Sequence, residues 1–286
     1  MTKAKTRLLS FLLILCFLFT ACGEGGILLS LSDKPDYNNT VTVLDVGQAA
    51  CSLIESEGQF ALIDAGDAGG STNIIAYLHS RGVEKIDLLV LSHFHYDHTS
   101  EALDIIRNFE IGTVVIPDLS EEMRPDSYFY QSLWEDAANG YYNLDTAAKD
   151  KTYIIGSGSV KILADTINTL TENDTSIALS YTNGDFVYVN TADMEAEAEA
   201  MLMDVIPTDV DLFSAGHHGS STSNTYEFVE KLNPGTVFIS CGAENDYGHP
   251  HSETIETFAS LGVDYYITYE QGTMVYSITT GEIFTD

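Results

Sequence analysis

Apolar and polar positions alternate along this chain in a rhythm that predicts its elements before any single residue is interpreted. Three short runs, Val41 to Val46, Cys51 to Glu55 and Phe60 to Ile63, are broken at Gly47-Gln48 and Glu57-Gly58. Short apolar runs separated by turn residues predict a β-meander. Thr72 to Ser80 then places Ile74, Ile75 and Leu78 at helical spacing,. Leu88 to Leu91 is continuously apolar, as a strand buried on both faces requires. A helix from Ala102 to Phe109 and a strand from Thr113 to Ile116 follow. Residues 118–151 are less regular and hold Trp134 among Tyr128, Phe129, Tyr130, Tyr141 and Tyr142. Aromatics that pack a helix on the core are a simpler reading there than a lid over a pocket.

A second cycle then begins. Strands are predicted at Thr152 to Ile155, Val160 to Leu163, Ser176 to Tyr181 and Phe186 to Asn190, with Asn183-Gly184 as a hairpin turn. The alternating Glu-Ala stretch from Glu195 to Leu202 is a helix whose carboxylates read as a solvated face. A strand from Asp211 to Ser214, a helix from Asn224 to Leu232, a strand from Thr236 to Cys241 and further elements up to Ile278 complete the chain. Strands, alternation, strands, alternation: this order predicts an α/β (α+β) domain of two mixed sheets face to face with helices outside, a four-layer αββα sandwich.

The first residues break that rhythm. Lys3, Lys5 and Arg7 precede an apolar run from Leu8 to Phe19, which ends in Thr20-Ala21-Cys22. A basic start, a short apolar run and small residues at a boundary predict a secretory leader over 1–22, too short for a comfortable membrane span. Its end resembles a bacterial lipobox, with Phe19 where Leu is usual, so the expectation is an extracytoplasmic protein held to the membrane by lipid on Cys22. Residues 23–39 then form a tether and 40–286 the domain. Composition adds a strong acidity: 43 acidic residues stand against 12 basic ones, a net charge of −31. Removal of the leader takes three basic and no acidic residues, which leaves −34. That surface repels polyanions and disfavours general nucleic-acid binding. Cys51 and Cys241 sit in apolar runs and read as small buried hydrophobes, with a disulfide left open.

The candidate chemistry lies where predicted strands end. His93-Phe94-His95-Tyr96-Asp97-His98 follows the strand at Leu88 to Leu91, and open α/β sheets place ligands at such carboxyl ends. Imidazoles and a carboxylate at this density suit zinc and, less selectively, manganese or iron. His217-His218 follows the strand ending at Ser214, and His249 and His251 follow the strand ending at Cys241. Seven of the eight histidines thus occupy three strand-end loops; His79, on a helix, reads as a surface residue.

The hexapeptide resembles the HxHxDH signature of the metallo-β-lactamase superfamily of binuclear metallohydrolases. Asp45-Val46-Gly47-Gln48, Leu62-Ile63-Asp64-Ala65-Gly66, Asn173-Asp174-Thr175-Ser176, Thr191-Ala192-Asp193, the His217-His218-Gly219-Ser220 run and the Gly248-His249-Pro250 turn follow in the order of ComEC-like domains, the metallo-β-lactamase-fold part of a bacterial competence protein. The resemblance spans about residues 40–280. It implies two divalent metal ions, zinc in preference to manganese, with His93 and His95 on the first, Asp97, His98 and His218 on the second, and Asp193 bridging. Of the adjacent pair, His218 is favoured over His217 as ligand. Asp97 would also orient the attacking water, and His217 and His249 would protonate the leaving group or contact phosphate. The expected reaction is hydrolysis of a phosphodiester, small or in nucleic acid, the acidity weighing against the latter. Ester, thioester or lactam hydrolysis, or a non-catalytic surface binding lipoprotein, are the alternatives. Ala49-Ala50 departs from the usual Gly-Asp of ComEC-like domains; the third histidine that many superfamily members offer the first metal shortly before the bridging Asp is missing here, as in ComEC-like relatives, and that stretch offers only Asn173 and Asp174.

Overall fold

A computed structural model describes residues 37–67, 72–168 and 171–285. The predicted leader, Cys22 and the tether up to residue 36 lie outside the described residues. The first half of the domain runs β1 (Asn39–Val43), β2 (Ser52–Ser56), β3 (Gln59–Ile63), α1 (Ile74–Ser80), β4 (Lys85–Val90), α2 (Tyr96–Thr99), α3 (Ala102–Asn108), β5 (Glu110–Ile116), α4 (Tyr128–Ala138) and β6 (Asn143–Thr146). The second half runs β7 (Thr152–Ile155), β8 (Gly158–Ile162), β9 (Leu179–Asn183), β10 (Phe186–Asn190), α5 (Ala196–Leu202), β11 (Leu212–Ser214), α6 (Tyr226–Leu232), β12 (Thr236–Ile239), α7 (Ser252–Leu261) and β13 (Asp264–Ile267). The short α8 (Thr268–Gln271), β14 (Met274–Ser277) and β15 (Ile283–Thr285) close the described chain.

These strands make two sheets. One has eight strands in the order β15-β14-β1-β2-β3-β4-β5-β6, and the other seven in the order β13-β12-β11-β10-β9-β8-β7. In each sheet an antiparallel set gives way to a parallel one: β3 to β6 pair parallel, and so do β10 to β13. The period of two along a strand decides which layer each side chain joins. Ala61, Ile63, Leu88 and Val90 face inward and meet Val160, Tyr181, Tyr188 and Phe238 of the facing sheet. Their neighbours Leu62 and Leu89 point outward onto Ile74, Leu78 and Ile105 of α1 and α3. Val189, Phe213 and Val237 likewise pack under Leu202, Phe228 and Phe258 of the opposite helical layer. Central strands covered on both faces must be apolar at every position, so Leu88 to Leu91 reads as a run and not an alternation.

Local signals set several boundaries. The Asn73 side chain accepts from the Ala76 N–H at 2.8 Å and starts α1, while α7 stops at Gly262 in the left-handed region,. The aromatic segment holds a full helix: Tyr130 and Leu133 of α4 are buried, and Tyr130 and Phe129 pack edge-on against Phe94 of the histidine loop. This helix supports that loop through Phe94. β6 and β15, one at each edge of the larger sheet, were not expected from the sequence, because short half-polar edge strands carry little pattern. The acidic helix differs from expectation too. Glu199 of α5 is 0% exposed, and its carboxylate accepts from the backbone N–H groups of Asn224 and Thr225 and from the Thr225 hydroxyl. A buried carboxylate with three donors anchors the start of α6 instead of facing water. Cys51 and Cys241 are both buried and both free, and His79 is exposed as expected.

Candidate metal centre

Parallel strands deliver the candidate residues from both sheets to one edge of the sandwich. β4 leads into Ser92 and the hexapeptide, whose second half is the single turn α2. β10 leads into Asp193, β11 into His217-His218, and β12 into the loop that carries His249. His217 and His218 both sit in the left-handed region, with φ of 50° and 56°, an uncommon conformation for side chains with a Cβ. That turn brings both Nε2 atoms toward Asp193 Oδ2, at 3.7 Å for His217 and 3.8 Å for His218. His251, by contrast, bonds to the Ser221 N–H and the Tyr247 carbonyl and braces the loop.

Two groups of donor atoms share Asp193. His93, His95 and Asp193 form one; Asp97, His98, Asp193 and His218 form the other, and within each group the ligand atoms all lie within 4.8 Å of one another. His93 Nε2 and His95 Nδ1 are 3.1 Å apart, and Asp193 Oδ2 is 3.8 Å from His93 Nε2. On the other side Asp193 Oδ1 is 3.2 Å from His98 Nε2, and Asp97 Oδ2 is 3.3 Å from His218 Nε2. The geometry thus brings together His93, His95, Asp97, His98, Asp193 and His218. His217 lies beside them, its Nε2 3.7 Å from Asp193 Oδ2, and belongs to neither group.

The donor set fits metal ions on grounds that need no comparison. Nε2 of His98 and Nε2 of His218 are buried without a hydrogen-bond partner, and a buried polar atom left unpaired is costly unless something else satisfies it. The opposite nitrogens are each held by an acceptor. His218 Nδ1 donates to the Ser240 carbonyl at 2.9 Å, and His98 Nδ1 donates to Asp64 Oδ2 at 2.7 Å. The Ser92 hydroxyl donates to the same Asp64 oxygen at 2.8 Å and is therefore free to accept from His93 Nδ1 at 3.1 Å. Each assignment places the proton on Nδ1 and leaves the Nε2 lone pair facing the centre, the tautomer a metal requires. Asp64, which also accepts from the Ser92 N–H at 2.7 Å, thus orients two imidazoles at once.

The charges agree with this arrangement. Burial opposes ionisation of Asp193, but His98 and His218 outweigh it and hold its carboxyl well below the ordinary range. Burial likewise opposes ionisation of Asp97, and the nearby His218 and His98 still bring it to about 2. His93 is pushed down by burial and by the charge of His98. His98 runs the other way: burial disfavours its charge, yet Asp193 and Asp64 raise it well above the ordinary value.

Gln48, Asn173 and His249 also line the cleft of about 420 Å³ over these groups. The amide of Gln48 takes the Gly242 N–H on its oxygen at 3.1 Å, which turns its nitrogen toward His249 Nδ1 at 3.1 Å. His249 must then accept at Nδ1 and carry its proton on Nε2. Burial, with His218 and His217 beside it, lowers His249 to about 4, so its ring is neutral at physiological pH. Asn173 lines the same cleft with its Oδ1 buried and unpaired, in the stretch where no third histidine is found. Sequence reasoning gave no role to Asp64, Ser92, Gln48 or Asn173. The signal for the first was present: an aspartate closes β3, alongside the strand that feeds the hexapeptide.

Comparison with known proteins gives the geometry a lineage. The family model described as metallo-beta-lactamase superfamily matches residues 44–242. The chain is 27% identical over 209 residues to ComE operon protein 3 of Bacillus subtilis, across 72% of this chain and 26% of that protein. It is 26% identical over 247 residues to Recombination protein 2 of Haemophilus influenzae, across 82% of this chain and 29% of that protein. The chain therefore spans between a quarter and a third of these curated relatives. Among solved structures, the metallo-beta-lactamase fold protein YhfI of Bacillus subtilis superposes with a TM-score of 0.57 at 14% identity, covering 83% of this chain and all of that one.

Proposed function

We propose, on the premise that this chain belongs to the metallo-β-lactamase superfamily and is a metal-dependent hydrolase of that fold, that it cleaves a phosphodiester outside the cytoplasm. The observation that carries the reading is the sharing of Asp193 between two donor groups that together hold six ligand residues. In this reading His93 and His95 hold one divalent ion, Asp97, His98 and His218 hold the other, and Asp193 holds both. Each group offers two imidazoles beside carboxylate oxygen, a set that suits zinc, with manganese as its rival,. Ions bound there supply Lewis acidity and lower the pKa of the attacking water.

The chain's own residues do the rest. Asp97, ionised at any physiological pH, orients the water as acceptor of one of its protons. His249 offers a neutral Nε2–H from the open side of the cleft, which donates to a non-bridging or leaving oxygen as charge builds there. Its lowered pKa makes it a hydrogen-bond donor and not a proton reservoir. His217, also lowered by burial, faces the same space. Relatives named for competence and recombination agree with phosphodiester chemistry. Fold alone does not choose among hydrolysed bonds.

The test is a parallel assay of bis-p-nitrophenyl phosphate, single-stranded DNA and nitrocefin with added manganese or zinc, with metal content measured on the same preparation. Phosphodiester turnover by a protein that holds two equivalents is the expected result. Turnover of the lactam alone overturns the phosphodiester reading, and metal without turnover of any substrate favours a binding lipoprotein. Lipid anchoring rests on the Thr20-Ala21-Cys22 boundary; among the described residues no helix is long and apolar enough to cross a membrane. Cys22→Ser should release the protein from the membrane fraction, and retention of the variant there would point to the apolar run itself as anchor.

A further inference from the structure

Three rings form a column from solvent into the centre. Tyr247 stacks on His249 with centroids 5.6 Å apart and planes 22° apart, and His249 stacks on His218 at 6.2 Å and again 22°. The inner face of Tyr247 is thus covered, its outer face is open, and the residue is 68% exposed. A second exposed ring, Tyr96 at 66%, lines the same cleft at the start of α2. Large aromatic side chains are usually withdrawn from water, and here two of the exposed ones flank one cleft. Two histidines of the cleft also have acidic neighbours: Glu172 approaches His95 at 3.4 Å, and Glu195 approaches His217 at 3.8 Å. Among the described residues no Lys or Arg lines the cleft.

Resting on the phosphodiester reading above, we propose that this mouth is a nucleoside subsite, with Tyr247 and Tyr96 as its aromatic faces, and that the substrate is a short nucleoside phosphodiester of one or two nucleotides. A planar base can stack on the open face of Tyr247, and such stacking is sequence-tolerant because every base has a π-face. The scissile phosphate then lies over Asp193, within reach of the His249 N–H. A long strand has no such accommodation. Proteins that track a polynucleotide do so through a positively charged groove, whereas each further phosphate here meets Glu172, Glu195 and a chain of net charge −31. A diester with alkyl arms lacks the ring that the column receives.

The experiment compares kcat/KM of the metal-loaded full chain for a thymidine dinucleotide, a thirty-nucleotide single strand and glycerophosphocholine, in wild type, Tyr247→Ala, Tyr96→Ala and Tyr247→Phe. The dinucleotide should be preferred over glycerophosphocholine by at least roughly tenfold, and over the long strand per scissile bond at low salt. Stacking of one base is worth roughly 5- to 150-fold in affinity, so Tyr247→Ala should reduce that preference by a factor in this range, through KM. Tyr247→Phe should restore it, since the ring and not the hydroxyl does the stacking. Equal turnover of glycerophosphocholine and the dinucleotide overturns the subsite and leaves phosphodiester hydrolysis standing, as does a Tyr247→Ala variant that loses the same factor on both. Preference for the long strand overturns the size limit. Silence on every phosphodiester by a protein shown to hold its metal overturns the underlying reading and the subsite with it.

Discussion

Asp64→Asn isolates the relay behind the metal centre with almost no change of shape. Asp64 has a φ of 62°, a conformation in which asparagine is as acceptable as aspartate, so the backbone has no reason to move. The carboxamide oxygen can keep the Ser92 N–H, now 2.7 Å from Oδ1. The amide nitrogen then replaces Oδ2, the atom that accepts from the Ser92 hydroxyl and from His98 Nδ1. Two donors cannot face each other at 2.7 Å. His98 must move its proton to Nε2, the nitrogen that faces Asp193, and the Ser92 hydroxyl turns away from its former acceptor and loosens its hold on His93. Loss of an outer partner of a metal-ligating histidine costs roughly 10- to 100-fold in metal affinity, about 1.4–2.7 kcal/mol. The assay titrates the metal-free protein with zinc or manganese against a chromophoric chelator, with circular dichroism to show that the variant is folded. Ser92→Ala is the companion: it keeps the Asp64–His98 bond and removes only the His93 arm, so it should weaken one of the two equivalents selectively. A folded Asp64→Asn protein that binds both equivalents with wild-type affinity would refute the claim that Asp64 sets these tautomers.

Other residues make separate predictions. Gln48→Glu replaces the nitrogen that donates to His249 with an acceptor, so the proton should shift to His249 Nδ1, visible in the imidazole ¹⁵N shifts, and kcat should fall by roughly 10²- to 10³-fold as for a lost transition-state donor; an unchanged tautomer with unchanged kcat would remove His249 from the mechanism. Gly219 has φ +81° and an added Cβ would meet Pro250 Cβ at 2.7 Å, so Gly219→Ala should cost about 1–3 kcal/mol by overpacking, measured by urea unfolding, and should weaken metal binding by moving His218. Leu89→Ala opens a cavity under α1 and α3 and should cost about 2–5 kcal/mol in the same assay. Burial, with Glu270 and Asp45 nearby, pushes the Cys241 thiol up to about 12, and burial raises Cys51 as well. Thiolate rises only as pH approaches the raised value, so near pH 8 both thiols should resist a disulfide reagent in the folded protein and react after unfolding; prompt labelling of the native protein would contradict their burial.

The strand-end histidines were legible because their chemistry is local. Three imidazoles and a carboxylate within six residues, placed after an apolar run, announce a metal loop without any partner in view. The two-cycle order of strands and helices announced the αββα sandwich for a similar reason, since pattern period and burial are coupled residue by residue. Glu199 shows where that reasoning ends. In the sequence it is one of several glutamates in an alternating stretch, and only the approach of the Asn224–Thr225 backbone from a different element makes it a buried anchor. Asp64, Ser92 and Gln48 are the same case at the centre itself. Their donors and acceptors lie 6 to 201 positions away along the chain in His98, His249 and Gly242, and no spacing rule links them. Sequence by itself therefore determined the fold and which imidazoles and carboxylates stand at its strand ends. Tertiary structure decided which nitrogen of each histidine faces the centre and where the aromatic mouth lies, because hydrogen-bond direction and ring stacking exist only once distant strand ends are brought together.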